Sequence, residues 1–254
     1  MADLEGRVVA VTGASSGIGR AIAIQSASEG ARVACCGRNA EKLEAVRSEL
    51  PGDGHAVYIF DSEDLPGVES MAAAIAKGMG PLGGFVHSAG VSVTQLLRDT
   101  SYDVMEDLLR INFTVFLAFA RGACRRGRYV QSAMSVVGIS SMAALSADSG
   151  MSIYAASKAA LNASIKSLAK EYASRGVRFN GICPNPVNTP MTDKARFLMG
   201  DSAFAEFIEK SMPLGLIEPE DVADSAIFLL SDKSRRITGS LLEITSGASS
   251  FSYV

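Results

Sequence analysis

Short apolar runs rich in β-branched residues recur along the chain, and most are followed by stretches whose apolar positions repeat at helical spacing. Val8 to Val11 opens the series and Arg32 to Cys36 continues it. Runs of this kind read as buried strands. Strands are predicted near 7–12, 32–36, 56–60, 83–88, 133–140, 177–183 and 241–245. Helices are predicted near 17–29, 40–49, 65–78, 101–121, 153–174 and 220–231. Gly30, Gly52, Gly90, Gly176, Pro184 and Gly239 punctuate the junctions. Alternation of this kind predicts an α/β fold, with a parallel sheet covered by helices on both faces. The stretch 189–216 breaks the rhythm, with short amphipathic pieces and methionines at 191, 199 and 212.

Composition narrows the class. A chain of 254 residues suits one α/β domain over 1–254, and 48% apolar content supports a large core. The net charge is −3 and the pI about 5.5, so no basic surface points to nucleic acid. The longest apolar runs, such as AIFLL at 226–230, fall far short of a membrane span. MADLEGR lacks the charged-then-apolar pattern of a signal peptide. A soluble cytoplasmic protein is expected. Cysteines at 35, 36, 124 and 183 form no CxxC pair, and two histidines give no metal cluster. Reduced core thiols and no bound metal are expected.

Two motifs carry chemistry. Directly after the first strand comes TGASSGIG, with glycines at 13, 17 and 19. Strand, glycine-rich turn, helix and strand together form a dinucleotide-binding unit. Gly13 allows the tight turn, Gly17 admits a pyrophosphate to the backbone, and Gly19 lets helix and strand pack closely. The helix N-terminus then faces the phosphates with free N–H groups. Further on, Tyr154 and Lys158 stand four residues apart in YAASK, with Ser141 thirteen residues before the tyrosine. Spacing i,i+4 puts both side chains on one helix face. The unperturbed phenol pKa is ~10, and an ammonium one turn away lowers it. A serine hydroxyl can hold a carbonyl oxygen beside the phenol. The trio is apparatus for moving one proton to or from an oxygen. YxxxK alone also occurs by chance in helices; its company gives it weight.

That company is TGASSGIG, HSAG at 87–90, Asn112, Ser141, YAASK, VRFNGICPNPVNTPM at 177–191, PEDVA at 219–223 and ITG at 237–239. In this order the motifs resemble the short-chain dehydrogenase/reductase family over nearly the whole chain. The resemblance implies one doubly wound Rossmann-type domain with a seven-stranded parallel sheet. It implies that Tyr154 is the general acid in carbonyl reduction and the base in reverse. Lys158 would lower the tyrosine pKa and bind the nicotinamide ribose, Ser141 would fix the substrate oxygen, and Asn112 would anchor a water leading from Lys158 to solvent. Asn112 read by itself could be a surface or capping residue.

For the cofactor, the resemblance implies contacts from Gly13, Ser15, Ser16, Gly17, Ile18 and Gly19. Ser88, Ala89 and Gly90 would lie along the ribose. Pro184, Val187 and Thr189 would hold the nicotinamide amide, although a plain proline turn is the simpler reading of that segment. Asp61, with Ser62, would reach the adenine; alternatively Asp61 caps the helix that follows. The stretch 189–216 would cover the substrate, or else form ordinary surface helices. Pairing of helix 153–174 and the Asn112 helix across a two-fold axis implies a homotetramer or homodimer.

The chain departs from the family pattern at His87-Ser88, Asn185 and Thr245-Ser246. His87 is given a structural role. Asn185 can keep a left-handed turn, and Thr245-Ser246 puts the C-terminal packing in question. The second strand runs into Gly37-Arg38-Asn39 with no carboxylate. Arg38 can pair with a 2′-phosphate, so NADP(H) is favoured over NAD(H). The supporting basic residue inside the glycine-rich turn is missing, because Ser16 precedes Gly17.

A small carbonyl or alcohol substrate is expected. The nearest resemblance is to 3-oxoacyl-(acyl-carrier-protein) reductases, with sugar, polyol and steroid dehydrogenases as alternatives. Arg125, Arg126 and Arg128, with Arg175 nearby, could meet an acidic carrier protein or be solvated charges. A dinucleotide-binding regulator without catalysis is the other class; the intact trio argues for the enzyme.

Overall fold

The structure is a computed structural model that describes residues 3–131 and 133–248. Seven parallel strands form one sheet: β1 (Val8–Thr12), β2 (Arg32–Gly37), β3 (Ala56–Ile59), β4 (Leu82–His87), β5 (Ser135–Ile139), β6 (Arg178–Pro184) and β7 (Leu241–Ile244). Their order is β3-β2-β1-β4-β5-β6-β7. Order reverses between β1 and β4, and ligands of open α/β sheets bind outside the strand carboxyl ends at such a switch point.

Side chains alternate across the strands. Val9 and Val11 face one layer, made by α1 (Gly17–Ser28), α2 (Ala40–Glu49) and α9 (Pro219–Leu230). Val8 and Ala10 face the other layer, made by α3 (Leu65–Met79), α5 (Val115–Ala123) and α6 (Ser152–Tyr172). Phe85 of β4 stacks on Phe119 at 4.1 Å between ring centres, with Phe116 at 6.1 Å. Burying each such ring contributes roughly 1.5–3 kcal/mol. The four cysteines are buried and free. Burial pushes the Cys35 and Cys124 thiols up to about 12, so they are inert core residues.

Two regions differ from the sequence expectation. The helix predicted over 101–121 is α4 (Tyr102–Leu109) and α5 joined by a π-helical turn, Arg110–Thr114. The segment 110–114 carries no Gly or Pro to mark a break, so the sequence reads as one helix. The stretch 189–216 contains α7 (Pro190–Met199) and α8 (Asp201–Ser211), separated by Gly200 with φ +81°. No helix among the described residues is long and apolar enough to cross a membrane.

Candidate active site

A cavity of about 750 Å³ lies at the carboxyl edge of the sheet. The β1–α1 turn lines it with Gly13 and residues 15–19. Gly13 has φ +72°, and a Cβ there would lie 2.7 Å from the Ala89 backbone nitrogen; a Cβ on Gly19 would lie 2.2 Å from the Gly13 carbonyl. The turn can therefore run flush against β4 only with glycines. Ser16 starts α1 without a side-chain cap bond, so first-turn N–H groups remain available to an anion. Ser88, Ala89 and Gly90 line the floor, and Pro184, Val187 and Thr189 the opposite wall. A cradle of backbone, free helix N–H groups and small side chains fits a dinucleotide pyrophosphate.

At the β2 end the cavity is lined by Arg38 and Ser62, as expected, and also by Lys42. Lys42 was missed from sequence. It sits in the first turn of α2, where the Asn39 side chain accepts a hydrogen bond from its backbone N–H at 2.9 Å. Its spacing from Arg38, four residues across a helix cap, was the available signal. Among the described residues neither cation makes a salt bridge. Asp61 is exposed at the end of β3 and does not line the cavity. Its carboxylate accepts from the Glu63 N–H at 2.9 Å, and the cap of α3 is Asp64, so the capping alternative for Asp61 does not hold.

Ser141, Tyr154 and Lys158 line the same cavity. Ser141 stands just beyond β5, and the other two occupy one buried face of α6. Lys158 Nζ donates to the Ile139 carbonyl at 2.8 Å and lies 6.0 Å from the Tyr154 ring centre. Burial pushes the lysine down to about 8. The expected lowering of the tyrosine pKa by Lys158 is not what this geometry gives. Burial raises the phenol, and the opposing influence is a hydrogen bond with Ser141. The ammonium is directed at a carbonyl, and desolvation of the phenol outweighs what remains.

Asn112 is fully buried behind this group and does not line the cavity. It sits in the π-helical turn. Its amide accepts from the Val91 N–H at 2.8 Å and donates to the Val91 carbonyl at 3.0 Å and the Ser157 hydroxyl at 2.9 Å. The surface or capping alternative is thereby excluded. Asn112 clamps the segment that leaves β4 to α6, and Ser157, unnoticed in the sequence, completes the clamp by donating to the Tyr154 carbonyl at 2.7 Å.

The departures from the family pattern resolve individually. His87 is buried, with Nδ1 against Thr12 Oγ1 at 3.0 Å. Asn185 does not adopt a positive φ. Its backbone N–H donates to the Ile244 carbonyl at 2.9 Å and its side chain to the Thr245 carbonyl at 3.1 Å, tying β6 to β7. Ser246 takes the left-handed conformation instead, with φ +51°, and its carbonyl accepts from the Leu214 N–H at 3.1 Å.

The chain matches the family model described as enoyl-(acyl carrier protein) reductase over residues 13–249. It is 34% identical over 247 residues to a D-threitol dehydrogenase of Mycolicibacterium smegmatis, covering 96% of this chain and 93% of the relative. It is 32% identical over 251 residues to a 3-oxoacyl-(acyl-carrier-protein) reductase of Rickettsia bellii, covering 97% and 98%. A short-chain dehydrogenase of Burkholderia cenocepacia, solved with NADP, superposes with a TM-score of 0.88 at 30% identity, covering 96% and 98%. The chain thus belongs to the short-chain dehydrogenase/reductase family, enzymes that interconvert carbonyl and alcohol groups with a nicotinamide cofactor.

Proposed function

We propose that the protein is an NADP(H)-dependent carbonyl reductase working through Tyr154. The observation that carries this is the convergence of Ser141, Tyr154 and Lys158 on one cavity with the glycine-rich turn. In the reductive direction the Ser141 hydroxyl donates to the substrate carbonyl and holds it beside the phenol. Tyr154 donates its proton to the oxygen as negative charge develops there. Lys158, protonated below about 8, is placed to hold ribose hydroxyls. The nicotinamide, when bound, supplies the hydride. Asn112 holds the Val91 segment in place beside these groups. In the reverse direction the phenolate takes the alcohol proton.

Arg38 and Lys42 support NADP(H) over NAD(H), because two cations with no salt bridge among the described residues suit a 2′-phosphate. Ser62 is assigned to the adenine, and Pro184, Val187 and Thr189 to the amide. The chain acts as one domain, with 189–216 covering the substrate, in the cytoplasm and as a homotetramer or homodimer. Ala156, Ala159 and Ala163 stay exposed on α6, which suits close helix pairing. A 3-oxoacyl thioester on a carrier protein is the first substrate to try, with Arg126 and Arg175 at a second surface cavity as its docking point. Sugar, polyol or steroid dehydrogenation is the alternative. The test is nicotinamide absorbance at 340 nm with a panel of carbonyls and both cofactors. Absence of turnover with every carbonyl, despite cofactor binding, would leave the non-catalytic reading standing.

A further inference from the structure

We propose that the substrate end of the cavity selects a neutral ketone with an apolar body, and discriminates against polyols, sugars and free acids. This rests on the reductase reading above and specifies its substrate class.

Met142 follows Ser141 directly and Met151 stands one turn before Tyr154; both line the cavity. Met199 of α7 and Phe204 and Phe207 of α8 line it from the covering segment. The approach to the reacting groups is therefore walled by thioethers and aromatic rings. Met142 and Phe204 are each only 5% exposed, so they are packed in place, whereas Met199 is 46% exposed at the outer edge of this wall. Phe204 is backed by the Arg196 guanidinium, 4.9 Å from the ring centre, and Arg196 does not itself line the cavity.

Charge is distributed to the same effect. Among the described residues the cations lining the cavity are Arg38, Lys42 and Lys158, and the one carboxylate is Asp148. The first two flank the β2 end, and Lys158 is engaged with Ile139. A substrate carboxylate has no cation to meet on the covering segment and a carboxylate to repel it. The polar side chains Thr94, Ser146 and Asp148 belong to exposed residues and form a rim, while Ser92, Asn185 and Thr192 are half-buried among the lining. A polyol pushed past that rim loses water from several hydroxyls, and each one left unpaired keeps its desolvation cost. An alkyl or aryl group gains instead in proportion to the apolar area removed from water. Methionines adapt to varied apolar shapes, so a range of chain lengths and rings is accommodated.

The experiment compares matched pairs under NADPH: 2-octanone with erythrulose, and methyl levulinate with levulinate. The expected result is a kcat/KM at least tenfold higher for the neutral, apolar member of each pair. In Met199→Gln and Phe207→Gln the KM for 2-octanone should rise about tenfold, with the KM for NADPH unmoved. A preference for erythrulose or levulinate overturns the substrate class while leaving the reductase standing. An unchanged KM in both variants does the same. No reduction of any of the four, with NADPH fluorescence still reporting a bound cofactor, ends both.

Discussion

Thr12 Oγ1 lies 3.0 Å from His87 Nδ1, where the two residues sit opposite each other on adjacent strands β1 and β4. The same hydroxyl accepts from the Ala89 N–H at 3.3 Å. The other ring nitrogen, Nε2, is buried without a partner at hydrogen-bonding distance among the described residues. Burial, with Lys158 nearby, pushes His87 down to about 3. The unfolded chain therefore binds more protons between about 3 and 6.5. This group's contribution to stability falls as pH drops below 6.5, by up to about 1.4 kcal/mol per unit. Urea unfolding from pH 4 to 7 should show a shallower pH dependence in His87→Asn than in the natural protein. Equal slopes would contradict the buried neutral ring.

Tyr154→Phe should lower kcat by about 10²–10⁴ and leave NADPH affinity and unfolding midpoint nearly unchanged. The phenol oxygen is the sole group lost. Single-turnover rates and cofactor fluorescence check it, and near-normal turnover would remove the proton donor from the scheme.

Lys158→Met keeps the buried stem and deletes the cation. Because the lysine sits at about 8 by burial, the charged form is costly to the fold, and the variant should unfold no more easily. Turnover and NADPH affinity should both fall. In the natural protein, reduction should decline as pH rises through about 8 and the ammonium is lost. A flat profile from pH 7 to 9.5 would count against Lys158 as the working cation.

Arg38→Ala and Lys42→Ala should each raise the NADPH KM by about tenfold, equivalent to about 1.4 kcal/mol, with kcat unchanged and the NADH KM little affected. A higher kcat/KM with NADH than with NADPH in the natural protein would refute the preference.

Ser246 holds a left-handed backbone that costs a non-glycine residue roughly 1–2 kcal/mol. Ser246→Gly should raise the thermal midpoint by a few degrees after the entropy glycine adds to the unfolded chain. A lowered midpoint would mean that the serine side chain outweighs the strain.

The seven strands were legible because each is a short apolar run between turn residues, and the glycine-rich turn and YAASK because their chemistry lies within a few consecutive residues. Lys42 escaped because it reaches the cavity through a helix cap that the Arg38 motif does not include. Asn185 and Ser246 exchanged expectations: a left-handed backbone was assigned to the residue type that tolerates it, whereas the β6–β7 register decided where it falls. Asp61 shows the reverse limit, since a motif position fixes a place in the chain and not the direction of a side chain.

The π-helical turn between α4 and α5 works as a splice. One additional residue per turn rotates everything beyond it by about 100° relative to an uninterrupted helix. The buried ring pair Phe116 and Phe119 and the amide of Asn112 thereby keep their separate bearings on one rod. A surface helix usually tolerates shortening at its ends. Here, loss of a single residue from 110–114 would swing α5's aromatic face off the sheet while taking the Val91 clamp with it. Length in this segment is constrained as tightly as identity.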